Sequence, residues 1–178
     1  MSLRAPVDES DHAQGAADAP VTLVEYGDYQ CPYCGAAYPI VKQLQERFGD
    51  DLRFVFRNFP LQQLHEHAMS AALMAELAAT KGRFWEAHDA LYENQEQLGS
   101  ELYAVIAKQL GIDARGLGAA LESEKLFEKV QKDFNGGVRS GVNGTPSFFV
   151  NGTRYDGPRD FETMAETLDR AIAAAAKG

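Results

Sequence analysis

Cysteine is nearly absent: the chain of 178 residues holds two, Cys31 and Cys34. A small secreted domain built on a disulfide framework needs more, and a structural zinc site draws on about four good ligands. Long apolar runs are also missing. The longest, Ala171 to Ala176, falls far short of the roughly 20 residues that span a bilayer. Positive charge is in deficit, with 17 Lys and Arg against 26 Asp and Glu and a formal net charge of −9. Such a surface repels phosphate backbones and anionic headgroups, so neither nucleic acid nor membrane insertion is expected. The opening stretch, MSLRAPVDESDHAQGAADAP, has one Arg and no apolar segment, and so lacks the basic and hydrophobic regions of a secretory leader. A cytoplasmic location is expected on that ground, with a periplasmic or secreted one if a leader has been removed.

What is present reads as a folded globular chain of one domain with an insertion, because 45% hydrophobic and 24% charged residues sit near globular averages. Residues 1–17 lack periodicity and are expected as a flexible N-terminal arm. The run VTLVEYG from Val21 is β-branched and aromatic and stops at Gly27, the mark of a short buried strand. From Cys34 to Phe48, Ala37, Ile40, Val41, Leu44 and Phe48 recur at three- and four-residue spacing, an amphipathic helix ended by Gly49. Leu52 to Phe56 alternates as a second strand, completing a βαβ unit. Residues 62–138 read as helical throughout, with Asp113 and Ser123 as N-caps. After the glycine-rich break NGGVRSGVNG, Ser147 to Val150, the turn pair Asn151-Gly152 and Thr153 to Asp156 make a hairpin, and a last helix starts near Arg159 or Asp160. No internal repeat is present.

The two cysteines stand as Cys31-Pro32-Tyr33-Cys34 where the first strand turns into the first helix. Backbone N–H groups at a helix N-terminus have no intrahelical partner and carry partial positive charge, which favours a thiolate over a thiol. Cys31, at the exposed cap, is the expected nucleophile; Cys34, a turn further in and shielded, is the expected resolving thiol. A bridge closing so short a loop stabilises the fold by only about 2 kcal/mol. Each pKa unit of thiolate preference, about 1.36 kcal/mol, corresponds to about 30 mV of reduction potential. The spacing therefore suits redox chemistry better than a structural staple or half of a metal site. A C-x-x-C beside a βαβ pattern is also the redox signature of thioredoxin-like chains.

The chain resembles the DsbA-like branch of the thioredoxin-fold thiol-disulfide oxidoreductases. The resemblance rests on VTLVEYGDYQCPYC, on a helical insertion of about 80 residues and on GTPSFFVNG before a hairpin and terminal helix, and it covers nearly the whole chain. It implies an α/β thioredoxin fold (βαβ + ββα) over 18–61 and 139–178, with the all-helical insertion 62–138 forming a cap and the dithiol at the junction. It implies that Thr145-Pro146 is the family's cis-proline dipeptide, offering backbone to a bound substrate thiol. Glu25 matches the family's buried acid below the dithiol. An acid in so apolar a strand would be desolvated and its pKa raised, so that it could exchange a proton with Cys34; the alternative is a glutamate on the outward side of the strand. Pro32 and Tyr33 depart from the Pro-His pair of strongly oxidising members and resemble the glutaredoxin dipeptide. Tyr33 carries no positive charge, so the Cys31 thiolate is expected to be stabilised, but less than beside a histidine.

The expected activity is disulfide exchange with protein or peptide thiols, with no dissociable cofactor beyond the redox-active Cys31–Cys34 pair and with a redox partner that regenerates it. A glutathione-dependent, glutaredoxin-like activity is a second reading, set lower for want of a basic patch. A peptide-binding module with a structural bridge is a third. His65-Glu66-His67 is not read as a metal site, because residues two apart on a helix face different sides. His12 is placed in the arm without a role, and His88, among Phe84, Trp85 and Leu91, as a core or cap-interface histidine.

Overall fold

Alternating apolar residues give β2 (Val21–Gly27) and β3 (Leu52–Asn58), which pair in parallel with Val21 opposite Leu52 and Gly27 opposite Asn58. The computed structural model describes residues 1–178. Helix α1 (Pro32–Phe48) joins the two strands. β4 (Ser147–Val150) runs antiparallel to β2, and β5 (Thr153–Tyr155) returns along β4. The turn between them places Asn151 at φ 45° and Gly152 at φ 81°, the two left-handed positions that a tight hairpin requires. β1 (His12–Gln14) adds antiparallel to the far side of β3, giving the order β1-β3-β2-β4-β5.

Both faces of the sheet are covered. Val21, Leu23, Phe54 and Phe56 share the main core with Val41 and Leu44 of α1 and with Met164 and Leu168 of α7 (Phe161–Ala176). Val24, Tyr26, Val55 and Phe149 pack on the opposite face with Phe59 and Phe134. Between β3 and β4 lie α2 (Ala68–Ala79), α3 (Phe84–Glu93), α4 (Ser100–Gln109), α5 (Ala114–Leu121) and α6 (Glu124–Arg139). α2 is apolar on most sides, its buried Glu76 apart, because it is buried along most of its length: Ala71, Met74, Ala75 and Ala78 face the main core, and Ala72 and Leu73 face Val130 of α6. Asp113, Ser123 and Asp160 cap α5, α6 and α7, each accepting from a backbone N–H three residues on. This is the α/β thioredoxin fold, βαβ and ββα with an all-helical insertion, that the family resemblance implied.

The structure differs from the sequence pattern in three places. Residues 62–67 form turns rather than helix, which starts only at Ala68. Their backbone and side chains are taken by β2's loop: Asp28 Oδ2 accepts from the Leu61 N–H and from His65 Nδ1, and Gln30 Oε1 accepts from the His67 N–H. The expected break at Asn135-Gly136-Gly137 is instead continuous helix to Arg139, because close packing on the sheet outweighs the glycines' poor propensity. A Cβ at Gly137 would lie 2.8 Å from the Phe59 ring. Finally, residues 1–17 are not a free arm. β1 extends the sheet, Asp11 meets Arg57 at 2.8 Å in a buried ion pair, and Arg57 also donates to the carbonyls of Ala5 and Pro6. His12, far from idle, stacks on Phe84 at 3.7 Å and bonds Glu76 at 2.8 Å.

Two glycine substitutions separate packing from propensity. Gly137→Ala places a methyl against Phe59 and Tyr26 and should destabilise the protein by about 1–3 kcal/mol. Gly118→Ala, in α5 with nothing within 4 Å of the added carbon, should stabilise it by about 0.5–1 kcal/mol. Urea midpoints measure both; a stabilised Gly137→Ala would contradict the packing account.

Candidate active site

The loop after β2 delivers Cys31 as the N-cap of α1, with extended backbone at φ −67°, ψ 123°, and Pro32 as the first helical residue, where its missing N–H costs nothing. Asp28 shapes that loop: its Oδ1 accepts from the Gln30 N–H at 2.8 Å and its carbonyl from the Cys31 N–H at 3.1 Å. From the insertion, Gln95 reaches across. Its Nε2 donates at 2.8 Å to the carbonyls of both Tyr29 and Cys31. Gly35 permits this approach, since a Cβ there would sit 2.2 Å from Gln95 Oε1. Neither Asp28 nor Gln95 stands out in the sequence as a site residue. The Asp two residues before Gln30 carries the local signal of an Asx turn, whereas Gln95 has none.

Both cysteines are unbridged and buried. Cys31 is 4% exposed and Cys34 0%. The expected order of shielding holds, but Cys31 is not the exposed sulfur anticipated. Thr145 lies against it, with its carbonyl oxygen 3.5 Å from Sγ, and the surface exposure passes to Tyr33, which is 67% exposed. The Thr145–Pro146 peptide bond is cis.

The two thiols are pushed in opposite directions. The hydrogen bond from the Cys34 thiol lowers Cys31 most, against its burial, and the Thr145 side chain and the N–H groups of Cys34 and Tyr33 add to the effect, bringing the pKa to about 5. Burial pushes Cys34 well above its ordinary value, reinforced by that same hydrogen bond and by the charges of Glu25 and Cys31. Cys34 thus does for Cys31 much of what a neighbouring histidine would.

Glu25 is 2% exposed, on the face of β2 shared with Val21 and Leu23 and with the cysteines, not on an outward side. Burial, then the Cys31 charge, raises its carboxyl to about 8. Its Oε1 has no hydrogen-bond partner, and neither has the buried hydroxyl of Tyr92, which burial and then Cys34 push up. The fold therefore brings together Cys31, Cys34, Glu25, Pro32, Thr145 and Pro146, and turns Tyr33 outward. His65 and His67 are not neighbours on a helix: one bonds Asp28 at 2.8 Å and the other approaches Glu66 at 3.4 Å. His88 is buried, its Nδ1 2.9 Å from the Tyr29 hydroxyl, and burial depresses its basicity. The arrangement can hold one sulfur as an anion beside a protonated second sulfur, with an acid of near-neutral pKa within the same buried pocket.

Comparison with known proteins agrees with this architecture. A family model described as thioredoxin matches residues 7–170. The Na(+)/H(+) antiporter NhaA 3 of Salinispora tropica is 39% identical over 176 residues, 98% of this chain and 27% of that protein. The Na(+)/H(+) antiporter NhaA of Herminiimonas arsenicoxydans is 41% identical over 170 residues, 95% of this chain and 27% of the relative. The chain thus spans about a quarter of the length of these curated relatives, and no helix in it is long and apolar enough to cross a membrane. Among solved structures, BdbD from Bacillus subtilis superposes with a TM-score of 0.83 at 28% identity, covering 94% of this chain and 96% of that one. A thioredoxin-like oxidoreductase from Silicibacter pomeroyi gives 0.81 at 28%, covering 93% and 94%. Alpha-DsbA1 of Wolbachia pipientis gives 0.84 at 18%, covering 98% and 96%, a likeness of fold.

Thiolate absorbance of the reduced protein should titrate with a midpoint near about 5, and Cys34→Ala, which removes the strongest stabilising hydrogen bond, should move it up by about one to two pH units. An ordinary thiol midpoint near about 8.5 in the wild type would contradict the geometry. The Glu25 carboxyl holds its proton up to about 8 in the folded chain, against 4.5 for an exposed glutamate. Its contribution to stability is therefore fully present below 4.5 and lost as pH rises through 8. The thermal midpoint of Glu25→Gln should gain on the wild type across that window; a gap independent of pH would show that the carboxyl is not buried.

Proposed function

The chain belongs to the thioredoxin family, and from that premise we propose that it is a DsbA-like thiol-disulfide oxidoreductase acting on protein or peptide thiols through Cys31 and Cys34. The observation that carries the reading is the placement of two free sulfurs one helical turn apart at the N-terminus of α1, against Thr145 and its cis peptide bond, an environment that brings Cys31 down to about 5 and pushes Cys34 up. At neutral pH this gives a nucleophile and a protonated reserve in one site.

In the reducing direction the Cys31 thiolate attacks one sulfur of a substrate disulfide. A Cys31–substrate S–S bond forms, the substrate bond breaks, and the departing thiolate takes a proton from solvent. Joining Cys31 in the mixed disulfide removes its negative charge, which had added to burial in holding the Cys34 proton in place. Cys34 then passes that proton to the fraction of Glu25 that is ionised below its midpoint of about 8, and attacks Cys31 Sγ. The Cys31–Cys34 bond forms and the second substrate thiolate leaves, so two electrons have passed from the dithiol to the substrate. The reverse sequence inserts the disulfide into a dithiol substrate. Thr145 and Pro146, beside Cys31, present backbone to the incoming chain, and the electrons need no dissociable cofactor. Stabilising the Cys31 anion favours the reduced form, which makes the disulfide the better oxidant. An oxidising compartment, such as that of the periplasmic thioredoxin-like protein of Salmonella enterica, whose fold is similar, would draw out disulfide donation. A reducing compartment would keep the pair as a reductase, and in either case a redox partner restores it.

Cys31→Ser should reduce turnover of a peptide disulfide to the uncatalysed background, while Cys34→Ser should accumulate a mixed disulfide on Cys31 visible by intact mass. Turnover or client binding that survives Cys31→Ser unchanged would favour a peptide-binding module over an enzyme.

A further inference from the structure

Around the dithiol one positive charge has no carboxylate. Arg154 and Arg170, on either side of it in the chain, pair with Asp156 at 2.9 Å and Glu166 at 3.7 Å. Arg159 pairs with neither, and the nearby Asp160 carboxylate is occupied capping α7 through the N–H and hydroxyl of Thr163. Arg159 is nonetheless held in place at two points. One guanidinium N–H donates to the Pro146 carbonyl at 3.1 Å, and the guanidinium carbon lies 6.0 Å from the centroid of the Tyr33 ring. It therefore bridges the two surface elements that flank the Cys31 sulfur, the dipeptide between the cysteines and the loop of the cis proline. A guanidinium has five N–H donors, and only one is used here. A cleft of about 280 Å³ opens beside the Pro146 loop, lined by Pro146, Ser147, Tyr155 and Arg159 together with the mutually paired Arg154 and Asp156.

Stacking on an aromatic face and anchoring to a carbonyl fix the plane of a guanidinium while leaving its remaining edge for an acceptor. On a chain of net charge −9, acidic substrates are repelled at long range, so an unpaired cation beside Tyr33 and the Pro146 loop counts for most on the few substrate atoms that dock there. We propose, resting on the oxidoreductase reading above, that Arg159 and Tyr33 form a specificity subsite for a carboxylate adjacent to the substrate cysteine, whether on an acidic neighbouring residue of a peptide or on glutathione. The guanidinium accepts the carboxylate edge-on, and the Tyr33 ring supports the apolar part of the same residue. The subsite also supplies the basic group whose absence from the sequence had counted against glutathione.

The test compares mixed-disulfide peptides with Glu, Gln or Lys beside the cysteine, together with glutathione mixed disulfides in the free-acid and ester forms. Wild-type kcat/KM should favour Glu over Lys by roughly two- to five-fold at low ionic strength, the range of an exposed ion pair, and the preference should fade with added salt. Arg159→Gln should bring the ratio close to one, Arg159→Glu should invert it, and Arg159→Lys should keep part of it. A purely structural bond to the Pro146 carbonyl would instead lower all the rates together and leave the ratio unchanged. That result, or a wild-type preference indifferent to salt, would overturn the subsite. Loss in Arg159→Gln confined to free-acid glutathione would identify glutathione as the source of the carboxylate; loss with the Glu peptide would identify a protein chain. A wild type inert toward every disulfide would overturn the parent reading, and the subsite with it, whereas turnover without preference overturns the subsite alone.

Discussion

The pairing of two sulfurs at the N-terminus of α1, one favoured as an anion and the other buried as a thiol, governs this protein. The Cys34 thiol and the N–H groups at the mouth of α1 favour the Cys31 anion; burial first, and then the Cys31 sulfur and the Glu25 charge, keeps the proton on Cys34. The two protonation states of the site thus support one another. A charged imidazole in the dipeptide would stabilise the anion without this coupling. Here Tyr33 points to solvent instead and leaves the stabilisation to the second cysteine and the surrounding N–H groups.

Such a pair requires a loop that does not yield when a substrate pulls on it. The β2–α1 loop is held from three directions: by Asp28 within itself, by the residues after β3 that Asp28 and Gln30 tie to it, and by Gln95 from the insertion. The insertion therefore does more than cover apolar surface. Its 3-10 turn at Gln95–Gln97 supplies a direct bond to the carbonyl of the reactive cysteine, so motion of the insertion is coupled to the geometry of the sulfur.

On the opposite face the chemistry is structural. Arg57 and Asp11 are each about 5% exposed and form a buried pair with Tyr26 and two carbonyls of the N-terminal segment. Asn58, Glu76 and Asp133 make a second buried network to which His12 and Lys129 belong. Buried charges persist only when their partners are all present. Residues 1–17 complete both sets, which is why a stretch of weak local preference is ordered against the sheet.

The sequence carried the parts of the design that depend on spacing along the chain. Cys31 and Cys34 one turn apart, Pro32 at the first helical position, the β-branched and aromatic run VTLVEYG, Asn151-Gly152 between two strands and the caps at Asp113 and Ser123 are all local rules, and each is realised where the pattern put it. Side-chain period and cap chemistry need no knowledge of distant residues. Tertiary structure decided what depends on who stands opposite: that Glu25 faces the sulfurs, that 62–67 is turn, that α6 continues through Gly136 and Gly137, that β1 joins the sheet, and that Arg159 meets Tyr33 across more than a hundred residues. Desolvation and Coulomb energies are properties of neighbours in space, and only the folded chain sets which neighbours those are.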